Sequence, residues 1–373
     1  MSASKNIYTS AYLNDESTIL LGGDGGLTLA SISNREGTVS KSFKRLSFNV
    51  PTFLPDTADV KQSSALNTDA NKSKVKIYSI CNVDNSLYVG GKFAFVNGVE
   101  KDNLVRLTSS GAIDDDFNAS VEGSVYKIVK TDTNIFVAGA FGSYNEKYIH
   151  SIAQLDLIGT LNESFNPFAD YMIVRINDVA VLANDKIMLA GTFVKEASAE
   201  DQNSSMEELI QKTRAVMVLN SNGMIDEELS DKFADIKHEA YALDVLNDTI
   251  YIGGGFEFIK DETAFNDLVA YSIDGELKND FRIGKLSGLV FDVKAQDDKV
   301  IFAGDFILDD GLETRSFYLV DLFGNTININ NFSVDANIYN IEMYEGSLVL
   351  SGEGKFKLSG SQYSSSISLK LEN

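Results

Sequence analysis

Leu87-Tyr88-Val89-Gly90-Gly91-Lys92-Phe93 is the stretch on which the fold turns, because it recurs along the chain. It returns as Phe136-Val137-Ala138-Gly139-Ala140-Phe141 and as Met188-Leu189-Ala190-Gly191-Thr192-Phe193. Further copies are Tyr251-Ile252-Gly253-Gly254-Gly255-Phe256 and Phe302-Ala303-Gly304-Asp305-Phe306, with weaker ones at Leu21-Gly22-Gly23 and Leu350-Ser351-Gly352. Successive matched glycines lie 68, 48, 52, 63, 50 and 48 residues apart. Seven units fill the 373 residues, and a period near 50 is that of a repeat array rather than of separate domains.

Two more landmarks hold the same register. Each of the first six units has an apolar run ending in a polar turn with glycine: Gly37, Gly111, Gly159, Gly223, Gly275 and Gly324. Six residues beyond most of these stands a large apolar residue: Phe43, Phe117, Phe165, Leu229 and Phe281, with Phe332 at eight. In the third unit Val125–Val129 reads as a first strand and Asn134–Gly139 as a second, apolar on consecutive residues as a strand covered on both faces must be. His150–Leu155 reads as a third strand, Gly159 as the hairpin turn, and Thr160–Phe165 as a fourth. The repeated Phe is a wedge for the gap between diverging sheets.

Four-stranded units repeated seven times predict an all-β, seven-bladed β-propeller of antiparallel blades. The units fall at about 6–50, 76–120, 121–168, 171–233, 237–283, 286–334 and 335–373, in one domain spanning 1–373. The seventh unit reaches Asn373 with no residues for a fourth strand, so its blade is expected to have three. Its last strand, with Ser366, Ile367, Ser368, Leu369, Lys370 and Leu371, is then an edge to which a protein partner can add a strand.

The second unit resembles the delta-60 repeat over Leu87–Phe93, Asn97-Gly98, Asn103–Leu107, Gly111, Ile113-Asp114 and Phe117-Asn118. Units three, five and six match well; the resemblance spans 76–332 and is patchy in unit four. It implies a β-propeller of the kind found in bacterial and phage-associated surface proteins, with no catalytic residues to carry over. Kelch repeats also place paired glycines after a strand but usually carry Trp, of which this chain has 0.

Two insertions break the period, at 51–74 and 195–213. Ser205-Met206-Glu207-Glu208 in the second has the pattern of a helix start. Net charge is −22, which opposes binding to nucleic acid or anionic lipid. The single cysteine, Cys81, excludes an intrachain disulfide and reads as a small buried apolar residue. No apolar run reaches the length of a membrane span, so direct membrane insertion is not expected, and Met1–Asn6 has no signal-peptide pattern.

Chemistry is sparse. His150 and His238 fall on different units without clustered partners, and Gly22-Gly23-Asp24-Gly25-Gly26 lacks the Lys-Ser/Thr of a phosphate loop. Asp114-Asp115-Asp116, Asp297-Asp298 and Asp309-Asp310 do not match a calcium loop, which leaves Ca2+ a weak candidate and no other cofactor. The repeat landmarks Gly91, Gly139, Gly191, Gly254, Gly304, Phe117, Phe165 and Phe281 read as structural. The expectation is a non-enzymatic module that binds protein partners in a larger assembly, in a phage virion or tail. The alternative is a cell-surface or secreted binding protein, with a surface glycan stacked on Tyr rings as another ligand. A polysaccharide-acting enzyme with its site at the channel mouth is the third reading.

Overall fold

The computed structural model describes residues 7–12, 18–24, 26–31, 48–49, 75–182, 185–195, 212–309, 315–327, 332–344, 347–358 and 361–370. The insertion 51–74, most of 195–213 with its expected helix, the landmarks Gly37 and Phe43, Asp310 and Leu371 lie outside them.

Within each repeat three strands form an antiparallel sheet with the second strand in the middle. In the third repeat the strands are Val121–Lys130, Asn134–Tyr144 and Ile152–Asp156. The fifth has Glu239–Leu246, Thr249–Lys260 and Thr263–Ser272, and the seventh Phe332–Tyr344, Ser347–Leu358 and Ser361–Lys370. The central strand is buried on successive residues from Ile135 to Gly139, so both its faces are covered. Neighbouring sheets supply the cover. One core cluster joins the sheets of repeats two and three through Tyr88, Leu104, Phe117, Val125 and Val137. Another joins repeats five and six through Tyr251, Leu268, Val290 and Phe302. Each such side chain, fully buried, contributes about 1.5–3 kcal/mol.

Close stacking of the sheets requires a small residue one position before the landmark glycine. Gly22, Gly90 and Gly253 hold it in three repeats, Ala138, Ala190 and Ala303 in three others, and Ser351 in the last. A Cβ on Gly22 would come within 2.6 Å of Ile77 Cγ2 in the next sheet, and one on Gly253 within 2.6 Å of Val290 Cγ1.

The expected fourth strand is corrected to a single bridge. Leu107 bridges Ile113, Leu155 bridges Leu161, Leu219 bridges Ile225, Tyr271 bridges Leu277 and Val320 bridges Thr326. The reason is local. Asp114 N still donates to Arg106 O at 3.0 Å, but Asp114 Oδ1 then accepts from Asp116 N at 3.1 Å, and that turn ends the pairing. The turn drives Phe117 inward, 4% exposed, edge-on to Tyr88 with ring centroids 5.2 Å apart. In repeats two to six the blades foreseen as four-stranded are therefore three main strands with a bridging tail, repeat three adding the two-residue strand Lys147–Tyr148, and the three strands of the seventh repeat do not set it apart. Repeat four differs again. A short helix, Glu227–Asp231, follows its bridge, so Leu229 is only half-buried and Phe233, 1% exposed, fills the wedge position.

The chain divides into two compact units, Met1–Asn162 and Glu163–Asn373. In the first, repeats one, two and three stack in succession; in the second, repeats four to seven do.

Candidate functional site

The first strand of every repeat carries a bulge at one fixed place. Register skips between Ile7 and Thr9, Ile77 and Ser79, Val125 and Lys127, and Ile176 and Asp178. It skips again between Ala240 and Ala242, Val290 and Asp292, and Ile338 and Asn340. The landmark glycine stands opposite the start of each bulge: Gly91 pairs Ile77, Gly139 pairs Val125, Gly191 pairs Ile176, Gly254 pairs Ala240 and Gly304 pairs Val290. At Gly139 the bulged strand turns the Ser124 carbonyl oxygen to where a Cβ would sit, and that oxygen is backbone and cannot yield. The five glycines thus occupy one structural position, set by close approach of the neighbouring strand.

The extra residue at the bulge is Tyr8, Tyr78, Tyr126, Asn177, Tyr241, Phe291 and Tyr339 in turn, and each is half-buried. Six of the seven are aromatic, and they touch. In the first unit Tyr8–Tyr78 and Tyr78–Tyr126 centroids are 5.4 and 5.1 Å apart; in the second Tyr241–Phe291 and Phe291–Tyr339 are 5.6 and 5.5 Å apart. Burial pushes the Tyr78 hydroxyl up to about 12, with the nearby Lys76 acting against it. Burial likewise raises Tyr241 to about 12, with Glu239 adding to the shift. The belt was not foreseen from sequence, although a signal was present: an aromatic residue stands 13 positions before the landmark glycine at Tyr78, Tyr126, Tyr241, Phe291 and Tyr339.

Polar side chains stitch adjacent first strands together. Ile128 N donates to Ser79 Oγ at 2.9 Å, Leu243 N to Asp178 Oδ2 at 2.9 Å, Ala295 N to Asp244 Oδ2 at 2.6 Å and Ile341 N to Asp292 Oδ2 at 2.6 Å. Lys294 Nζ lies 3.7 Å from Asp244 Oδ1. Burial works against the charge on Lys294, but Asp244, Asp292, Asp178 and Glu342 outweigh it and hold the amine above its ordinary range.

A cavity of about 920 Å³ opens in the second unit, lined by His238, Glu257, Asn266, Asp267 and Lys285 among others. Burial raises the Asp267 carboxyl to about 6, against the hydrogen bonds from Asn266 and Phe256. A shifted acid in a cavity invites a catalytic reading. Its hydrogen bonds give another. Phe256 N donates to Asp267 Oδ1 at 3.2 Å, as Phe93 N donates to Asn103 Oδ1 at 2.9 Å in repeat two. Asn103 also donates from Nδ2 to Val121 O at 2.7 Å, and in repeat five Asn266 Nδ2 takes over that bond, to Leu286 O. Asp267 therefore fills a repeat position that shapes the backbone where the third strand, from Leu268 on, pairs with the buried half of the second.

The remaining sequence candidates disperse. His150 sits beside Tyr148, its Nδ1 3.4 Å from the hydroxyl, while His238 lines the cavity. Asp114 pairs with Arg106 at 2.8 Å and Asp298 with Lys299 at 2.5 Å. Among the described residues no three His, Cys, Asp or Glu side chains gather as a metal site, and no helix is long and apolar enough to cross a membrane. Burial pushes the Cys81 thiol up to about 11. Phe117, Phe165 and Phe281 are each 4% exposed. Ser366 to Lys370 lie on Ser361–Lys370, the outer strand of the seventh sheet.

Between second and third strands the chain extends as hairpins. Their tips at Asn97-Gly98, Asn145-Glu146 and Asp261-Glu262 have positive φ at both residues, the turn that best fits strand twist. These hairpins and that of repeat six expose Val99 (47%), Tyr148 (59%), Ile259 (73%) and Ile307 (47%).

Comparison with known proteins places the fold. The family model "Domain of unknown function (DUF5122) beta-propeller" matches residues 84–117. Among solved structures the chain is similar to the AfRom2 CNH domain, with TM-score 0.54 and 9% identity, covering 99% of this chain and 96% of that one. It also aligns with the computationally designed Ika8 protein at TM-score 0.48 and 14% identity, covering 96% and 86%. No curated protein matches the sequence. With its stacked antiparallel sheets and a family match centred on the second repeat, the chain has a β-propeller-like repeat fold.

Proposed function

We propose that the seven repeats close into one seven-bladed propeller, a non-enzymatic module that binds a protein partner within a larger assembly. The observation that carries the reading is the set of hairpins with an exposed apolar residue at Val99, Tyr148, Ile259 and Ile307. One exposed apolar residue needs no explanation, but its return on the hairpins of four repeats, two in each unit, supports a role for these hairpins in contact. The kinship of Asp267 with Asn103 favours a structural over a catalytic role for the most perturbed carboxyl in the cavity. The delta-60 resemblance, with its phage-associated members, supports a place in a virion or tail, and Ser361–Lys370, like the other outer strands, offers an edge to which a partner can add a strand.

The test compares wild type with the combined variant Tyr148→Ser, Ile259→Ser and Ile307→Ser, each recovered from its native source by cross-linking under native conditions. The expected result is loss of one defined cross-linked partner with the melting temperature unchanged. Equal recovery of every partner would overturn the interaction reading. The chain found in the envelope fraction and absent from purified particles would replace the virion assignment with the cell-surface one.

A further inference from the structure

Repeat two carries Asp102-Asn103 before Leu104, and repeat five carries the same two residue types in reverse order, Asn266-Asp267, before Leu268. In repeat two the amide takes the inner place and makes both bonds there, while Asp102 Oδ2 accepts from Ser120 Oγ at 3.0 Å nearer the surface. In repeat five the carboxylate takes the inner place, 8% exposed, and cannot donate, so Asn266 has to supply the bond to Leu286 O. An amide suffices for the fold at this place; the charge is an addition to it. A buried carboxylate costs stability at neutral pH, and a local rule broken at a cost marks a working site.

Asp267 opens onto the cavity of about 920 Å³ in the second unit, a size within the ~300–1,000 Å³ of small-molecule sites. Its two oxygens accept one bond each, from Phe256 N and from Asn266 Nδ2, and a carboxylate has about four acceptor positions. Both partners are neutral, and among the described residues no cation pairs with Asp267. Glu257 on the neighbouring strand adds a second negative charge to the lining. Lys285, from the first strand of repeat six, lines the cavity but is exposed and pairs with neither carboxylate. Arg282 is drawn off over the Phe265 ring, 4.1 Å from its centroid. His238, also exposed, completes the titratable lining.

We propose that this cavity binds an alkylammonium group, with Asp267 as its counterion. The open acceptor positions of Asp267 call for an N–H donor, and a protonated amine brings both the donor and the missing charge. Ile283 and Leu289, both half-buried, line the same cavity and suit an alkyl stem. A bare metal ion fits less well, because among the described residues no three His, Cys, Asp or Glu side chains gather to hold one. The ammonium has two sources, a free amine or a lysine side chain of another protein. Burial holds Asp267 at about 6, whereas an alkylammonium keeps its charge up to about pH 10, so binding weakens as pH falls through 6.

The full chain is melted at pH 7 and at pH 5 in rising n-butylammonium chloride, against sodium chloride at matched ionic strength. Acetyl-lysine amide with a free side-chain amine, tetramethylammonium chloride and magnesium chloride are run beside it. The expected result at pH 7 is a saturable rise in melting temperature with the amines. It should weaken about tenfold in apparent affinity at pH 5 and at least tenfold in Asp267→Asn. That variant keeps an acceptor for Phe256 N, as Asn103 does for Phe93 N, so a lost response is not a lost fold. A lysine amide effective at lower concentration than butylammonium assigns a lysine side chain; equality or the reverse assigns a free amine. No response to either amine overturns the proposal. So does a response that Asp267→Asn retains, or one matched by magnesium or by tetramethylammonium, which has no N–H.

Discussion

Gly139 and Gly142 stand three residues apart on one strand and meet opposite surroundings. A Cβ at Gly139 would overlap the Ser124 carbonyl oxygen, while one at Gly142 has nothing within 4 Å. Gly139→Ala is expected to cost about 3 kcal/mol, at the upper end for overpacking, because the obstacle is backbone. Gly142→Ala should leave the denaturant midpoint unchanged or slightly raised. Equal effects would show that the bulge does not impose the glycine. Asp267 offers a test of the opposite sign. Its folded pKa of about 6 lies above the ordinary 3.8, so the stability it lends is full below pH 3.8 and lost as pH rises through 6. Asp267→Asn, which restores the residue type of repeat two, should stabilise the protein at pH 7 by on the order of 2 kcal/mol and by nothing at pH 4. A gain of the same size at both pH values would mean that the carboxyl is not perturbed.

At the scale of the strand, sequence and structure agree where hydrophobic pattern decides and part where a turn does. The central strands were legible because five consecutive buried residues, Ile135 to Gly139, leave no other reading. The fourth strand was misread because Thr160–Phe165 has the composition of a strand, whereas the chain after the bridge turns on local bonds: Asp116 N to Asp114 Oδ1 and Phe117 N to Asp114 O in repeat two, and Phe281 N to Lys278 O in repeat five. The aromatic belt escaped for a similar reason: a bulge shifts register, so period-2 reasoning assigns Tyr126 to the wrong face. The Asn103 and Asp267 kinship escaped too, since it lies in hydrogen bonds and positive φ rather than in residue identity. The belt has a measurable strength. Tyr78 and Tyr126 meet edge to face at 84°, and a double-mutant cycle with Tyr78→Leu and Tyr126→Leu should give a coupling of about 1 kcal/mol. A coupling near zero would reduce the contact to coincidence of packing.

For the whole molecule, the tyrosines predict an alkaline limit. Burial holds Tyr78 and Tyr241 at about 12 and raises Tyr144 and Tyr271 further, above the ordinary 10.0. The stability these neutral hydroxyls lend is full below pH 10 and lost as pH rises toward and past 12. Tyrosinate absorbance near 295 nm should therefore rise in two stages. At least these four of the 15 tyrosines should ionise only in step with loss of far-ultraviolet circular dichroism, with Tyr88, Tyr171 and Tyr251, which burial also raises, adding to the late stage. A single smooth titration that precedes unfolding would contradict the burial.

The bonds from Ser79 to Ile128, Asp178 to Leu243, Asp244 to Ala295 and Asp292 to Ile341 all run one way, from a first strand to that of the following repeat. Four of the repeats hold the acceptor for their successor's backbone, so these junctions have a grammar of donors and acceptors. Gene duplication of a lone repeat, or a shuffled copy pasted between unrelated neighbours, leaves one backbone amide orphaned at the downstream seam. The unit of inheritance in such an array is the junction, and length can change cheaply only where the side chain before the seam travels with the strand after it.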